Sequence, residues 1–465
     1  MTPASNIPPA KVTRLIHGND IPPDVGLKQP RRVVAIGAVL ASMAAVVVDA
    51  GISNVALPTI AVSLKVTPSS AMLVVTAYQT AVVMALLPAA ALAARFGYRR
   101  IFTWGVALFT AASAVCAFAP SLQILLISRF AQGLGSAAIL ALGVALLRFS
   151  VSDRRLGAAI SWNALTVALS GAAGPALGAL ILSQTHWNFI YVVNLPVGIA
   201  VLFAARALPA VAGPSTPLDM ISLTLYGSAF ALAVAAVECV ATPIGAAISL
   251  GGAAISVLLL ILRERSKLTP FIPFDLLRST SFRNSLAASV FCFAGQTAGL
   301  IALPFFLQHG LNQPAPLAAL YLSAWPLGVA ATALFAGRLA NHVSTALLCA
   351  VGGVIISAGL SGAAFCPSSS DFQMIVIFIM LGGAGFGLFQ IANNRNMFLA
   401  AARERSGAAG AMQGTARVTG QTIGALLAAS LFAVAPMKLA PEFAMYTGAA
   451  LTLAAGALSL SRPRH

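Results

Sequence analysis

Residues 33–58 read VVAIGAVLASMAAVVVDAGISNVALP, and Asp49 is the one charged side chain among them. No other charge lies between Arg32 and Lys65. An apolar run of this length spans a hydrocarbon core about 30 Å thick as an α-helix rising about 1.5 Å per residue. A carboxylate in hydrocarbon costs about 2.5–3.5 kcal/mol or more, so one kept there faces a cavity, pairs with a cation or carries protons.

The rest of the chain repeats the pattern. Of 465 residues, 59% are hydrophobic and only 8% are charged, against about 25% charged in soluble domains. Mean hydropathy is +0.92. No soluble fold hides that much apolar surface, and runs of this length imply helices rather than a barrel. Fourteen runs can be marked, from 33–58 to 441–461. The seventh and eighth, 219–241 and 244–262, are separated only by Ala241–Pro243, and read as two spans rather than one bent hairpin.

The net charge of +16 follows topology. With the connections numbered alternately and the N-terminus inside, 23 of the 27 Lys and Arg residues fall inside and only Lys65 and Lys438 outside. That asymmetry is the positive-inside signature of a multi-pass protein with both termini cytoplasmic, and no nucleic-acid partner is needed to explain it. Arg129 and Arg417 are the exceptions, within apolar runs. The five cysteines and five histidines show no metal-ligand spacing, so neither a metal nor a cofactor is expected. Residues 1–32 are polar and proline-containing, too polar for a signal peptide, and no cleavage is expected.

Two near-equal offsets point to an internal repeat. Leu92 and Leu339, in similar segments, lie 247 residues apart, and Gly174-Pro-Ala-Leu-Gly178 and Gly420-Gln-Thr-Ile-Gly424 lie 246 apart. The expected fold is an all-α polytopic membrane protein with two six-helix pseudo-repeat halves and two inserted helices. The expected organisation is a disordered cytoplasmic tail (1–32), an N-terminal half (33–208), a linker with two extra transmembrane helices and a cytoplasmic loop (209–283), a C-terminal half (284–461) and a cytoplasmic end (462–465). Repeated halves with a site between them are typical of secondary transporters.

The candidate site residues follow from helical spacing. Ser42, Asp49 and Ser53 share one face of the first helix, and Arg129, Gln132 and Ser136 share one face of the fourth. Asp49 and Arg129 lie at similar depths and can meet. They form either a static neutralising pair or a proton or cation site in which Arg129 tunes Asp49. Gln413, Arg417 and Gln421 share a face of the thirteenth helix, where Arg417 binds an anionic group or bonds to carbonyls. The Gly174-Pro175 step bends the fifth helix. Gly382-Gly-Ala-Gly-Phe-Gly387 permits close helix approach and is no nucleotide loop.

Together these motifs resemble the major facilitator superfamily, and within it the drug:proton antiporters with fourteen transmembrane helices. The residues that carry the resemblance are Asp49-Ala-Gly-Ile-Ser-Asn54-Val-Ala-Leu-Pro58, Arg129-Phe-Ala-Gln132-Gly133-Leu-Gly135, Ser170 to Gly178, and Trp187 to Gly198. The loop after the second helix keeps Leu92, Arg95, Gly97, Arg99 and Arg100, but Ala90 and Ala94 stand where the family has Gly and Asp. That Asp helps latch one conformation, so its loss implies looser gating. The resemblance implies a proton-coupled exporter, not an enzyme, in a bacterial inner membrane, working as a monomer on small molecules and protons. Asp49, Arg129 and Gln132 would couple protons, Arg95, Gly97, Arg99, Gly174, Pro175 and Gly178 would shape gating, and Asn54, Gln413, Arg417 and Gln421 would contact substrate. The lone core carboxylate favours a lipophilic cation; export of a neutral or anionic metabolite would put Arg417 in the site. An enzyme or sensor would need paired carboxylates, a metal cluster or a soluble domain, and none is visible.

Overall fold

The structure is a computed structural model that describes residues 26–211, 219–238, 243–265, 267, 274–339, 342–366, 372–400, 406–436 and 438–461. All its regular elements in these residues are helices. The first half holds α1 (Arg31–Ser63), α2 (Pro68–Phe96), α3 (Tyr98–Ala117), α4 (Leu122–Ser150), α5 (Asp153–Gln184), α6 (Phe189–Val192) and α7 (Asn194–Ala204). The inserted pair is α8 (Met220–Glu238) and α9 (Pro243–Arg265), followed by the short α10 (Phe274–Leu277). The second half holds α11 (Thr280–Phe305), α12 (Ala315–Leu322), α13 (Ala324–Leu339), α14 (Thr345–Phe365), α15 (Phe372–Leu399), α16 (Ser406–Val434) and α17 (Ala440–Leu460). Among the described residues eleven helices are long and apolar enough to cross a membrane alone.

Local chemistry sets the boundaries. Thr67 caps α2 by accepting the Ser70 N–H at 3.2 Å, and Pro68 fills the first helical position, where a missing N–H costs nothing. Gly97 alone joins α2 to α3 with φ of +95°, a conformation that disfavours any side chain. Helix α1 runs through Pro58 to Ser63, five residues beyond the apolar run that announced it. At the other end, Gly26–Pro30 already pack against the bundle: Leu27 is buried and donates its N–H to the Ser150 carbonyl at 3.1 Å.

The repeat shows in the packing. In the first half α3 and α4 meet at Gly105 and Gly135, where a Cβ on Gly105 would lie 3.0 Å from the Gly135 carbonyl. In the second half α14 and α15 meet at Gly352 and Gly385, with the matching approach at 2.8 Å. Gly133 sits on the backbone of Tyr78 in α2, and Gly383 sits on that of Trp325 in α13. The offsets are 352 − 105 = 247, 325 − 78 = 247, 385 − 135 = 250 and 383 − 133 = 250. Gly174 and Gly178 of α5 pack on α1 at Val48–Ile52, while Gly420 and Gly424 of α16 pack on α11 at Val290–Thr297. Small residues are what allow helix backbones to approach closely in lipid.

The halves meet through α2 against α16, α5 against α12 and α13, and α1 against α11. At the end away from the described termini they share one continuous core, in which Val55, Leu57 and Ile60 join Phe305, Phe306 and Tyr321. At the terminal end each half keeps its own cluster, around Phe102 and Leu146 in the first and Phe282 and Met412 in the second. Among the described residues these two clusters are separate.

The inserted helices α8 and α9 pack on each other, and α8 lies over the α2–α16 seam. Tyr226 donates its hydroxyl to the Val83 carbonyl of α2 at 3.0 Å. At the terminal end Asp219 pairs with Arg263 at 3.1 Å and with Lys267, and Lys267 also pairs with Glu264. The Arg263 hydrogen bond, with Lys267 and Ser222, holds the Asp219 carboxyl well below the usual carboxylate range. This clamp closes the base of the hairpin. Helix α9 runs three residues past the apolar run expected at 244–262, to Arg265, and the short α10 lies within the expected linker of 209–283.

Candidate functional site

Asp49 and Arg129 meet. Arg129 donates from Nη1 to Asp49 Oδ2 at 2.6 Å, and each side chain is only 1% exposed. The other carboxylate oxygen accepts Gln132 Nε2 at 3.0 Å and Asn194 Nδ2 at 2.6 Å. Three donors, from Arg129, Gln132 and Asn194, therefore converge on one carboxylate. Arg129 is satisfied as well. It bonds to Gln132 Oε1 and to the Val74 carbonyl at 3.4 Å. Its guanidinium lies 4.3 Å from the Tyr78 ring centroid and 5.5 Å from that of Tyr191, both within cation–π range.

A second layer fixes the first. Ser113 accepts Gln132 Nε2 at 2.8 Å and donates to the Phe109 carbonyl at 2.7 Å. Tyr78 donates to Ser136 at 2.8 Å, and Ser136 donates to the Gln132 carbonyl at 3.0 Å. The ring nearest Arg129 is thus anchored to the helix that carries it.

Asp49, Arg129, Gln132 and Ser136 come together as their spacing predicts. Ser42 does not join, since its hydroxyl turns back to the Val39 carbonyl of its own helix at 2.8 Å. Four participants were not singled out from sequence: Asn194, Ser113, Tyr78 and Tyr191. Asn194 had a signal, the Pro196 two residues beyond it. Proline has no N–H for the Val192 carbonyl, so the helix breaks between α6 and α7. Asn194 opens the new segment, where its amide reaches Asp49.

Helix α5, which carries Pro175 inside it, touches this site from behind. A Cβ on Gly51 would lie 3.2 Å from the Gly174 Cα and 3.3 Å from the Pro175 ring. Gly178 packs on Ile52 one turn further. Any movement of α5 therefore acts on the turn that follows Asp49.

The remaining candidates lie apart. Arg95, Arg99 and Arg100 flank Gly97 without an ion pair to any described residue, as the alanine at position 94 implies. Gln413 is engaged with Asn394 of α15 at 3.1 Å. Asn54 keeps a buried carbonyl oxygen without a partner and is not part of the Asp49 cluster. Arg417 is partly exposed and pairs with nothing described. No group of metal-binding side chains occurs among the described residues.

The pair occurs in one half only. The α4–α15 offset of 250 places the buried Ile379 where Arg129 stands in the first half. The ionic centre is thus an asymmetric addition to a symmetric frame.

Comparison with known proteins places this arrangement. Residues 39–424 match the profile of the Major Facilitator Superfamily. An uncharacterized transporter of Escherichia coli K12, YebQ, is 39% identical over 412 residues, covering 87% of this chain and 90% of that protein. The riboflavin transporter RibZ of Clostridioides difficile is 27% identical, covering 86% and 87%. The multidrug resistance protein Stp of Mycobacterium tuberculosis is 28% identical, covering 83% and 73%. A crystal structure of the peptide transporter POT with sulfate superposes with a TM-score of 0.69 at 16% identity, covering 92% and 94%, a likeness of fold.

Proposed function

The chain belongs to the major facilitator superfamily, and from that premise we propose that it is a proton-coupled exporter of small lipophilic compounds in a bacterial inner membrane. One observation carries the reading: a carboxylate and a guanidinium, both 1% exposed, paired in the middle of an apolar bundle. A pair kept only for stability could be replaced by packed apolar residues at little cost, as Ile379 stands at the equivalent place in the other half. A proton on Asp49 would cancel its attraction for Arg129 and leave the guanidinium to Tyr78, Gln132 and the Val74 carbonyl. That is a two-state element which a gradient can bias.

Relatives named for multidrug resistance and for riboflavin transport support small-molecule transport and leave the compound open. The expectation of a cationic substrate rests on the family resemblance and on Asp49 as the lone core carboxylate, which Arg129, Gln132 and Asn194 hold.

We place 1–32 and 462–465 in the cytoplasm, with halves at 33–208 and 284–461 and a linker between them. In that orientation the core shared by the halves lies outward and their separate clusters lie inward, which supports an inward-facing reading. A reporter fused after residue 242 is expected to read outside. A cytoplasmic reading there would make α8 and α9 a re-entrant pair.

The functional test is proteoliposome transport with an imposed pH gradient. A transported compound is expected to dissipate the gradient as it moves, and an uncoupler should stop its accumulation. Movement indifferent to both would overturn proton coupling. Gly174→Leu should push α5 off α1 beside Asp49 and lower gradient-driven transport at least tenfold, with normal amounts of protein in the membrane. Transport near the wild-type rate in that variant would remove α5 from gating.

A further inference from the structure

Arg417 is the charged residue of the bundle that the coupling site does not use. It lies within α16 and makes no hydrogen bond or ion pair to any described residue. It is partly exposed. A guanidinium at this depth must face water, a cavity or a ligand rather than lipid.

Its neighbours fix its direction. Gly414 looks toward Leu86 of α2, where an added Cβ would lie 3.8 Å away. Thr415 meets Tyr226 of the inserted α8. Gly420 and Gly424 lie against Phe293 and Thr297 of α11. Helix residues advance by about 100° each, which turns Arg417 away from α8 and into the sector between α2 and α11. Because α8 covers the seam from outside, that sector looks toward the axis between the halves. Gln421, one turn on, shares it.

The register adds a third group. Helices α2 and α16 run antiparallel, with Leu86 level with Gly414, so Gln79 comes level with Gln421. Gln79 hydrogen-bonds to no described residue, and its Oε1 is buried without a partner. Asp49 and Arg129 cancel each other, so the uncompensated charge along this seam is positive.

We propose that Arg417, assisted by the amides of Gln421 and Gln79, binds an anionic group of the carboxylate class on the exported compound. The proposal rests on the export reading above and names its substrate chemistry. A guanidinium offers paired N–H donors matched to the two oxygens of a carboxylate, and amide N–H groups can complete the ring of donors.

The test is calorimetric binding to the purified full-length protein with three matched probes: 1-naphthoate, 1-naphthamide and 1-naphthylmethylammonium. The wild type should bind the carboxylate at least tenfold more tightly than the other two. Arg417→Gln should weaken the carboxylate at least tenfold and leave the amide unchanged, which also shows that the site is folded. Should Arg417→Gln lose all binding, Arg417→Lys decides, since the retained charge must preserve the carboxylate preference. A wild type that prefers the amide or the ammonium, shows no preference or binds none of the three overturns the proposal. So does an Arg417→Gln protein with undiminished carboxylate affinity, or an Arg417→Lys protein without the preference. No gradient is present in this measurement, so its failure leaves export standing, and failed gradient-driven export leaves the anion subsite standing.

Discussion

Asp49→Asn is expected to abolish gradient-driven export. The asparagine keeps the size of the side chain but exchanges no proton, so the element that a gradient biases is locked. It also puts a donor where three donors already converge from Arg129, Gln132 and Asn194. One of its two polar atoms then faces a partner it cannot bond. The measurement is proton flux in proteoliposomes on adding a transported compound, alongside substrate binding without a gradient. Binding should survive, because Asp49 is sealed at 1% exposure. Flux should fall by a factor of 100 or more, the scale on which loss of a positioned proton-transfer group acts. Well-folded Asp49→Asn protein exporting at near the wild-type rate would take Asp49 out of the mechanism.

Coupling needs a path from this pair to the other half, and Tyr78 offers one. One side of its ring lies on Arg129. Its body packs with Val82, Leu86 and Ala137 against Val418 of α16. Val418 is the neighbour of Arg417, so a shift of the guanidinium off Asp49 would press on the seam between the halves. On the proposed reading the link would be a packed aromatic ring rather than a chain of charges.

Much of this was legible from the sequence for physical reasons. A membrane core tolerates so few charges that Asp49 and Arg129 stood out, and a helical period of 3.6 residues brought Gln132 and Ser136 along with them. The repeat was legible because close helix approach requires glycine, which left Gly174 and Gly420 at matching places. Asn194, Ser113 and Tyr78 were not legible as site residues. Uncharged polar side chains are common in membrane helices, and only the fold shows which of them converge. Of the three donors to Asp49, the Asn194 amide was hidden for the same reason. Conformation was hidden too, since one sequence serves every state of the transport cycle.

Arg129→Gln is expected to have the largest effect on stability. It leaves Asp49 buried without its cation, and breaking a buried pair by removing one partner costs about 3–5 kcal/mol. Asp49→Asn leaves the converse orphan, a buried guanidinium, softened by the Tyr78 and Tyr191 rings. The double variant Asp49→Asn with Arg129→Gln removes both charges together and can form a neutral amide pair. Its loss should be smaller than the sum of the two single losses, by about 2 kcal/mol or more, as expected for residues in direct contact. Thermal unfolding in detergent, fitted for all four proteins, measures the coupling. Transport should remain absent in the double variant even where stability returns, because no exchangeable proton remains in the pair. A double variant that recovers both stability and gradient-driven export would make the pair a structural strut, whereas recovery of stability alone separates the charge that holds the bundle from the proton that drives it.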